Sequence, residues 1–324
     1  MANMIDSHNR KIDYLRLSVT DKCNLRCIYC MPSDGLKLKP HNEILSYEEI
    51  KLFAKCAIKQ GITKIRLTGG EPLIRRDVLG LIAGLTRIPG LKDISLTSNG
   101  VLLSDFAEAL VDVGLKRINI SIDSLKPDVF RRITRNGDLS RVIKGMERAL
   151  EVGLDPVKIN VVVLRGVNED ISDFVKLTFE HPVHVRFIEY MPFSKEMGMD
   201  KSVSSAELKE KIEKLGKLEQ ADSPYGAGPA RYFQMKDALG TIGFISPMSK
   251  HFCPTCNRLR LTADGKLRTC LFSDDEIDVK KVIRSENPKE KVEKLINQAL
   301  LEKPKNHSDS KRTDFQRRMS QIGG

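Results

Sequence analysis

The chain reads as an α/β protein: a partial (β/α)6 barrel of TIM type, followed by a C-terminal extension that carries a second cysteine cluster. Three observations point there. Short strand-like stretches alternate with amphipathic helical ones between Tyr14 and Tyr190, the pattern of a parallel sheet. One face of these strands is polar. Six of the seven cysteines form two triplets, Cys23, Cys27, Cys30 and Cys253, Cys256, Cys270.

Residues 14–20, 64–68, 93–97, 117–121, 157–163 and 184–189 read as strands. Helical stretches fill the gaps, among them 47–60, which opens on the capping-box pair Ser46 and Glu49, and 140–152, with apolar residues at helical spacing. The polar face is written out strand by strand: Arg16, Ser18, Thr20; Arg66, Thr68; Ser95, Thr97; Asn119, Ser121; Lys158, Asn160. A doubly wound sheet would show near-continuous apolar strands, and a closed eight-stranded barrel fills its interior with aliphatic side chains. A polar inner face predicts an open, wet lumen.

The alternation stops after Met191. A charged helix to Leu215, a Gly/Pro cluster at 223–229 and strand candidates at 231–235, 241–245 and 258–262 follow. The expected division is 1–191 for the barrel, 192–302 for the extension and 303–324 for a basic tail with little autonomous structure, ending Gly323-Gly324.

At 324 residues with 40% apolar and 30% charged content, the chain has material for a sizeable core. Aromatic content of 6% with no Trp argues against a stacking platform for single-stranded nucleic acid, and no nucleic-acid partner is expected. No stretch approaches the roughly 20 apolar residues of a membrane span, and the polar start lacks a signal peptide's apolar run, so no membrane association and a cytoplasmic location are expected. In that reducing compartment clustered cysteines point to metal or catalysis rather than disulfides. Cys56, alone on a helix, reads as packing. A net charge of +11 invites a polyanion, although much of the excess sits in runs such as Lys311-Arg312 and Arg317-Arg318, and charge runs are usually solvated surface. The phosphate-binding glycine loops are absent, so a nucleotide would be held by other means.

Each triplet offers three soft thiolates where a closed site takes four, which leaves a position open for chemistry. Zinc remains an alternative, completed by a histidine such as His41 at the first triplet or His251 at the second. Cys23, Cys27 and Cys30 follow the first strand directly, at the strand end where parallel barrels carry their active sites. Their Cys-x3-Cys-x2-Cys spacing resembles the radical S-adenosylmethionine (SAM) superfamily, and Gly69-Gly70-Glu71-Pro72 after the second strand is similar to its Gly-Gly-Glu-Pro motif. The resemblance implies a [4Fe–4S] cluster on the first triplet, whose open iron chelates SAM and cleaves it to an adenosyl radical. It further implies SAM contacts from Tyr29, Gly70, Ser121 and Met191.

Together with Cys253, Cys256, Cys270, the run Asn257-Arg258-Leu259-Arg260 and the terminal Gly-Gly, these motifs resemble one family over 13–324: the GTP 3′,8-cyclases of molybdenum cofactor biosynthesis. That resemblance implies a second [4Fe–4S] cluster contacting guanine. Arg16, Arg66, Thr97, Lys158, Arg258, Leu259 and Arg260 would hold GTP, with the arginine forks on its triphosphate. It implies abstraction of the ribose 3′ hydrogen, closure onto C8, an electron donor, a monomer or homodimer, and a Gly-Gly tail entering the site. Two other readings compete: a radical SAM peptide-modifying enzyme with an auxiliary cluster, and a basic zinc protein that binds nucleic acid.

Overall fold

Six parallel strands lie side by side in chain order: β1 (Tyr14–Ser18), β2 (Lys64–Thr68), β3 (Asp93–Ser98), β4 (Arg117–Ser121), β5 (Val157–Val163) and β6 (His184–Glu189). Helices α1 (Tyr47–Gln60), α2 (Val78–Thr86), α3 (Leu103–Asp112), α4 (Pro127–Thr134), α5 (Leu139–Glu151) and α6 (Ser172–Glu180) fill the connections. The structure is a computed structural model and describes residues 4–192, 198–225, 228–309 and 317–323. Helix α1 starts where expected, because the Ser46 hydroxyl accepts the Glu49 N–H while the Glu49 carboxylate accepts the Ser46 N–H.

Parallel register sorts the side chains by the period of two along each strand. Leu15, Leu17, Ile65, Leu67, Leu96, Ile118, Ile120, Ile159, Val161 and Phe187 are buried in the main apolar core. The intervening residues form rows across the other face, Arg16 beside Arg66 and Arg66 beside Ser95, then Thr97 beside Asn119 and Asn160 beside Arg186.

After α7 (Ser205–Glu213) the chain returns to the same sheet. Strands β7 (Glu219–Ala221), β8 (Arg231–Gln234) and β9 (Thr241–Ile245) join at one side, with β9 parallel to β6. Strands β10 (Arg258–Leu261), β11 (Lys266–Arg268) and β12 (Ile277–Asp278) join at the other, with β10 parallel to β1 and Arg260 beside Arg16. Among the described residues the result is one twelve-stranded sheet, ordered β12-β11-β10-β1-β2-β3-β4-β5-β6-β9-β8-β7. The alternation of strand and helix ends near residue 192, while the sheet continues across it. Helices α8 (Val279–Ile283) and α9 (Pro288–Leu301) follow, α9 packing on α1, where the Gln60 amide donates to the Glu293 carbonyl at 2.9 Å. A final turn, α10 (Met319–Ile322), lies close to the sheet face rather than in solvent.

Candidate active site

One cavity is lined by both cysteine triplets, by Arg16, Arg66, Thr97, Ser121, Met191, Arg258 and Arg260, and by Tyr29 and Gly70. Two expected residues lie apart from it. Leu259 alternates to the opposite face of β10 and is buried in the apolar core. Lys158 points below the cavity, where its ammonium donates to the Tyr225 and Pro224 carbonyls at 2.8 and 3.4 Å.

The lumen is strongly cationic and poorly compensated. Among the described residues no carboxylate lies within ion-pair distance of Arg16, Arg66 or Arg186, whereas Arg117 below them is paired with Asp93 through its Nε at 2.8 Å. Arg66 donates to the Ser95 hydroxyl at 3.2 Å, and Arg186 to the neutral amide oxygens of Asn119 and Asn160 at 2.6 and 2.5 Å. Burial, then the neighbouring Arg260, pushes the Arg16 guanidinium well below its usual range. Burial likewise pulls Arg66 down to about 10 and Arg260 to about 9, the latter with help from Arg258. Buried polar atoms without a partner among the described residues include Arg16 Nε, Arg186 Nε, Thr68 Oγ1, Thr97 Oγ1 and Tyr14 Oη. Uncompensated buried cations beside orphaned polar atoms call for a polar anion.

The first triplet hangs from the end of β1. The loop is fixed against the Gly-Gly pair after β2: Gly70 N–H donates to the Thr20 carbonyl and Glu71 N–H to the Lys22 carbonyl, each at 2.8 Å. A Cβ on Gly70 would stand 2.0 Å from the Lys22 carbonyl oxygen, so only glycine lets these two segments meet. The Glu71 carboxylate accepts from the Asn99 and Leu73 N–H groups and the Ser98 hydroxyl, and burial raises it to about 7. Tyr29, between the last two cysteines, donates to Asp123 at 2.6 Å, which pins the loop to the end of β4. Burial pushes the Cys30 thiol up to about 12 and Cys27 well above its usual range, so bare thiolates are disfavoured there.

The second triplet flanks the β10–β11 hairpin across the cavity, with Cys253 and Cys256 before β10 and Cys270 after β11. Its nearest described histidine is His307, with Nδ1 3.6 Å from the Cys253 sulfur; His251 instead engages the Pro247 carbonyl. Burial would raise Cys256, but Lys303 and Arg258 bring it down to about 7. Between the triplets lies the tail: Ile322 packs on Phe272, and the Gly323 carbonyl accepts from Arg16 at 2.9 Å. Gly323 has φ +80°, and a Cβ there would stand 2.5 Å from Thr68 Oγ1. Gly324 and the Lys311-Arg312 run lie outside the described residues.

The donor sets fit clusters better than single ions. Among the described residues no three His, Cys, Asp or Glu side chains converge as one ion's ligands, which counts against a closed zinc site. A cube takes one thiolate per iron corner and tolerates wider spacing. Three cysteines on each wall, facing a shared cavity, suit two [4Fe–4S] clusters each with an open iron.

Sequence reading missed Arg186, Asp123 and His307. Arg186 was within reach, since His184 and Arg186 extend the polar alternation to the sixth strand; nothing local marks Asp123 or His307.

Two family models match: the radical SAM superfamily over residues 17–178 and Molybdenum Cofactor Synthesis C over 183–309. GTP 3′,8-cyclase of Alkaliphilus metalliredigens is 48% identical over 99% of this chain and all of the relative, and that of Thermodesulfovibrio yellowstonii is 50% identical over the same shares. Among solved structures, Streptococcus suis SuiB superposes with a TM-score of 0.60 at 15% identity, over 87% of this chain and 66% of that one, a likeness of fold. The chain belongs to the radical SAM superfamily and, within it, to the GTP 3′,8-cyclase family.

Proposed function

We propose that this chain binds GTP and SAM in the shared cavity and converts GTP to (8S)-3′,8-cyclo-7,8-dihydroguanosine 5′-triphosphate, the first step of molybdenum cofactor biosynthesis. The observation that carries the assignment is the lumen between the two cysteine triplets, where buried Arg66 and Arg186 and half-buried Arg16 have no carboxylate partners among the described residues. Four negative charges on a nucleoside triphosphate complement such a lumen, and planar guanidinium forks match phosphate oxygens.

Cys23, Cys27 and Cys30 would hold one cluster and Cys253, Cys256 and Cys270 the other. When bound, the clusters and SAM supply the reducing electron and the hydrogen-abstracting radical. The chain's own residues do the rest. Tyr29, Gly70, Ser121 and Met191 would contact SAM, and Arg16, Arg66, Thr97, Arg258 and Arg260 would hold GTP. Lys158 would act from beneath, and Leu259 through its backbone. Their common task is to keep the ribose 3′ carbon and guanine C8 in a near-attack arrangement and to keep water from the radical. The Gly323 carbonyl on Arg16 would cap the cavity.

The reaction consumes reducing equivalents, so a low-potential electron donor is a required partner, and a cytoplasmic location fits that chemistry. No described helix is long and apolar enough to cross a membrane. The direct test is binding and turnover under anaerobic conditions: GTP should bind the reconstituted protein in calorimetry, and Arg258→Ala should weaken that binding without changing SAM cleavage. Tight binding of a peptide with no binding of GTP would refute the assignment.

A further inference from the structure

The two triplets have matching ligand sets in opposite electrostatic surroundings. Cys23 accepts from neutral amides, the Leu25 N–H at 3.4 Å and the Asn99 side chain at 3.8 Å. The buried carboxylates of Glu71 and Asp123 lie close enough to act on Cys23 and Cys27, while the cation acting there, Arg26, donates to the Cys23 and Leu25 carbonyls at 2.6 and 3.0 Å rather than to a sulfur.

Around the second triplet the sign reverses. Lys303 is 3% exposed, and its ammonium donates to the Cys256 sulfur at 3.7 Å, the Arg258 carbonyl at 3.0 Å and the Thr269 carbonyl at 2.5 Å. Three donors meet three acceptors, a fit to the charged amine. Arg10 also approaches, bonding the Cys253 carbonyl at 2.9 Å, but its charge is offset by Asp6 at 2.6 Å. Lys303 is not among the cavity-lining residues, so it reaches the triplet from the protein side, leaving the substrate side free.

Reduction adds one negative charge to a cluster, and a cationic donor to a cluster sulfur stabilises that charge; hydrogen bonds to sulfur and local charge are the protein's main controls on potential. We propose that Lys303 sets the reduction potential of the cluster on Cys253, Cys256 and Cys270, holding it less negative than that on Cys23, Cys27 and Cys30. This rests on the reading that both triplets hold [4Fe–4S] clusters. The change is a one-electron reduction by a low-potential donor with no atom transfer. At equilibrium the first electron then resides beside the substrate, while the cluster at the SAM side keeps its stronger reducing power.

The experiment is a redox titration of anaerobically reconstituted full-length protein with titanium(III) citrate, followed by electron paramagnetic resonance. Variants with each triplet changed to alanine assign the two signals. The wild type should show the second cluster reduced first. Lys303→Gln should move only that transition to a more negative potential, and Lys303→Arg should restore it. A Lys303→Gln protein with its full iron content and an unmoved potential would overturn the proposal, as would a wild type in which the second cluster is the harder to reduce. If Lys303→Gln sheds its second cluster, the wild-type order of the two transitions decides. About four irons per chain together with zinc, in place of about eight irons, would instead overturn the two-cluster reading.

Discussion

Arg186 is held by two neutral amide oxygens and by no carboxylate among the described residues, so its charge is available to a ligand. Charge-assisted hydrogen bonds contribute about 1.5–3 kcal/mol each. Arg186→Ala should therefore weaken GTP binding by about 10- to 100-fold in anaerobic calorimetry, while SAM cleavage in the absence of GTP stays unchanged. Lys158, beneath the cavity, adds a pH dependence. Burial, then Arg186, lowers its ammonium from the ordinary 10.5 to about 6, so near neutral pH the ligand-free folded chain holds fewer protons at this site than the unfolded chain. By linkage its destabilising contribution is complete below about pH 6 and fades as the pH rises toward 10.5. Lys158→Met should accordingly raise the melting temperature of ligand-free protein more at pH 6.5 than at pH 9. Triphosphate binding should draw a proton onto Lys158, seen as a dependence of the calorimetric heat on the buffer's ionisation enthalpy.

Strand periodicity made the lumen legible at the level of elements. Alternation alone places Arg16, Arg66, Asn119 and Asn160 on one face, and four of the six barrel strands have the expected bounds. What alternation could not reveal is which later strands close against that face: β9 and β10 each look like an isolated hairpin strand in sequence, and only the fold pairs them with β6 and β1. The tail was hidden for a related reason. Its order comes from contacts with distant elements: Arg317 on Asp264 and Glu276, Ile322 on Phe272, and Gly323 on Arg16. Gly323→Val meets both a left-handed backbone and the Thr68 side chain. It should displace the tail and lower cyclised product by about 10- to 100-fold, with the global melting temperature essentially unchanged because the tail lies outside the main core.

At the scale of the whole molecule, a single sheet serves two small molecules by bringing both ends of the chain to one face. The first triplet follows β1 and the second flanks the hairpin of the neighbouring β10, so the separation in sequence between Cys30 and Cys253 collapses to one cavity. Holding so many cations inside the sheet needs a fixed floor, which the buried Arg117–Asp93 pair supplies. Asp93→Ala would strand a buried guanidinium and should cost about 3–5 kcal/mol of stability, measured by denaturant unfolding. The chemistry of this cavity is the joining of the ribose 3′ carbon of GTP to its own C8. The most direct measurement is mass spectrometry of the products formed by anaerobically reconstituted protein with GTP, SAM and a reductant. 3′,8-Cyclo-7,8-dihydro-GTP formed together with 5′-deoxyadenosine is the expected result, and 5′-deoxyadenosine with GTP left unconsumed would contradict it.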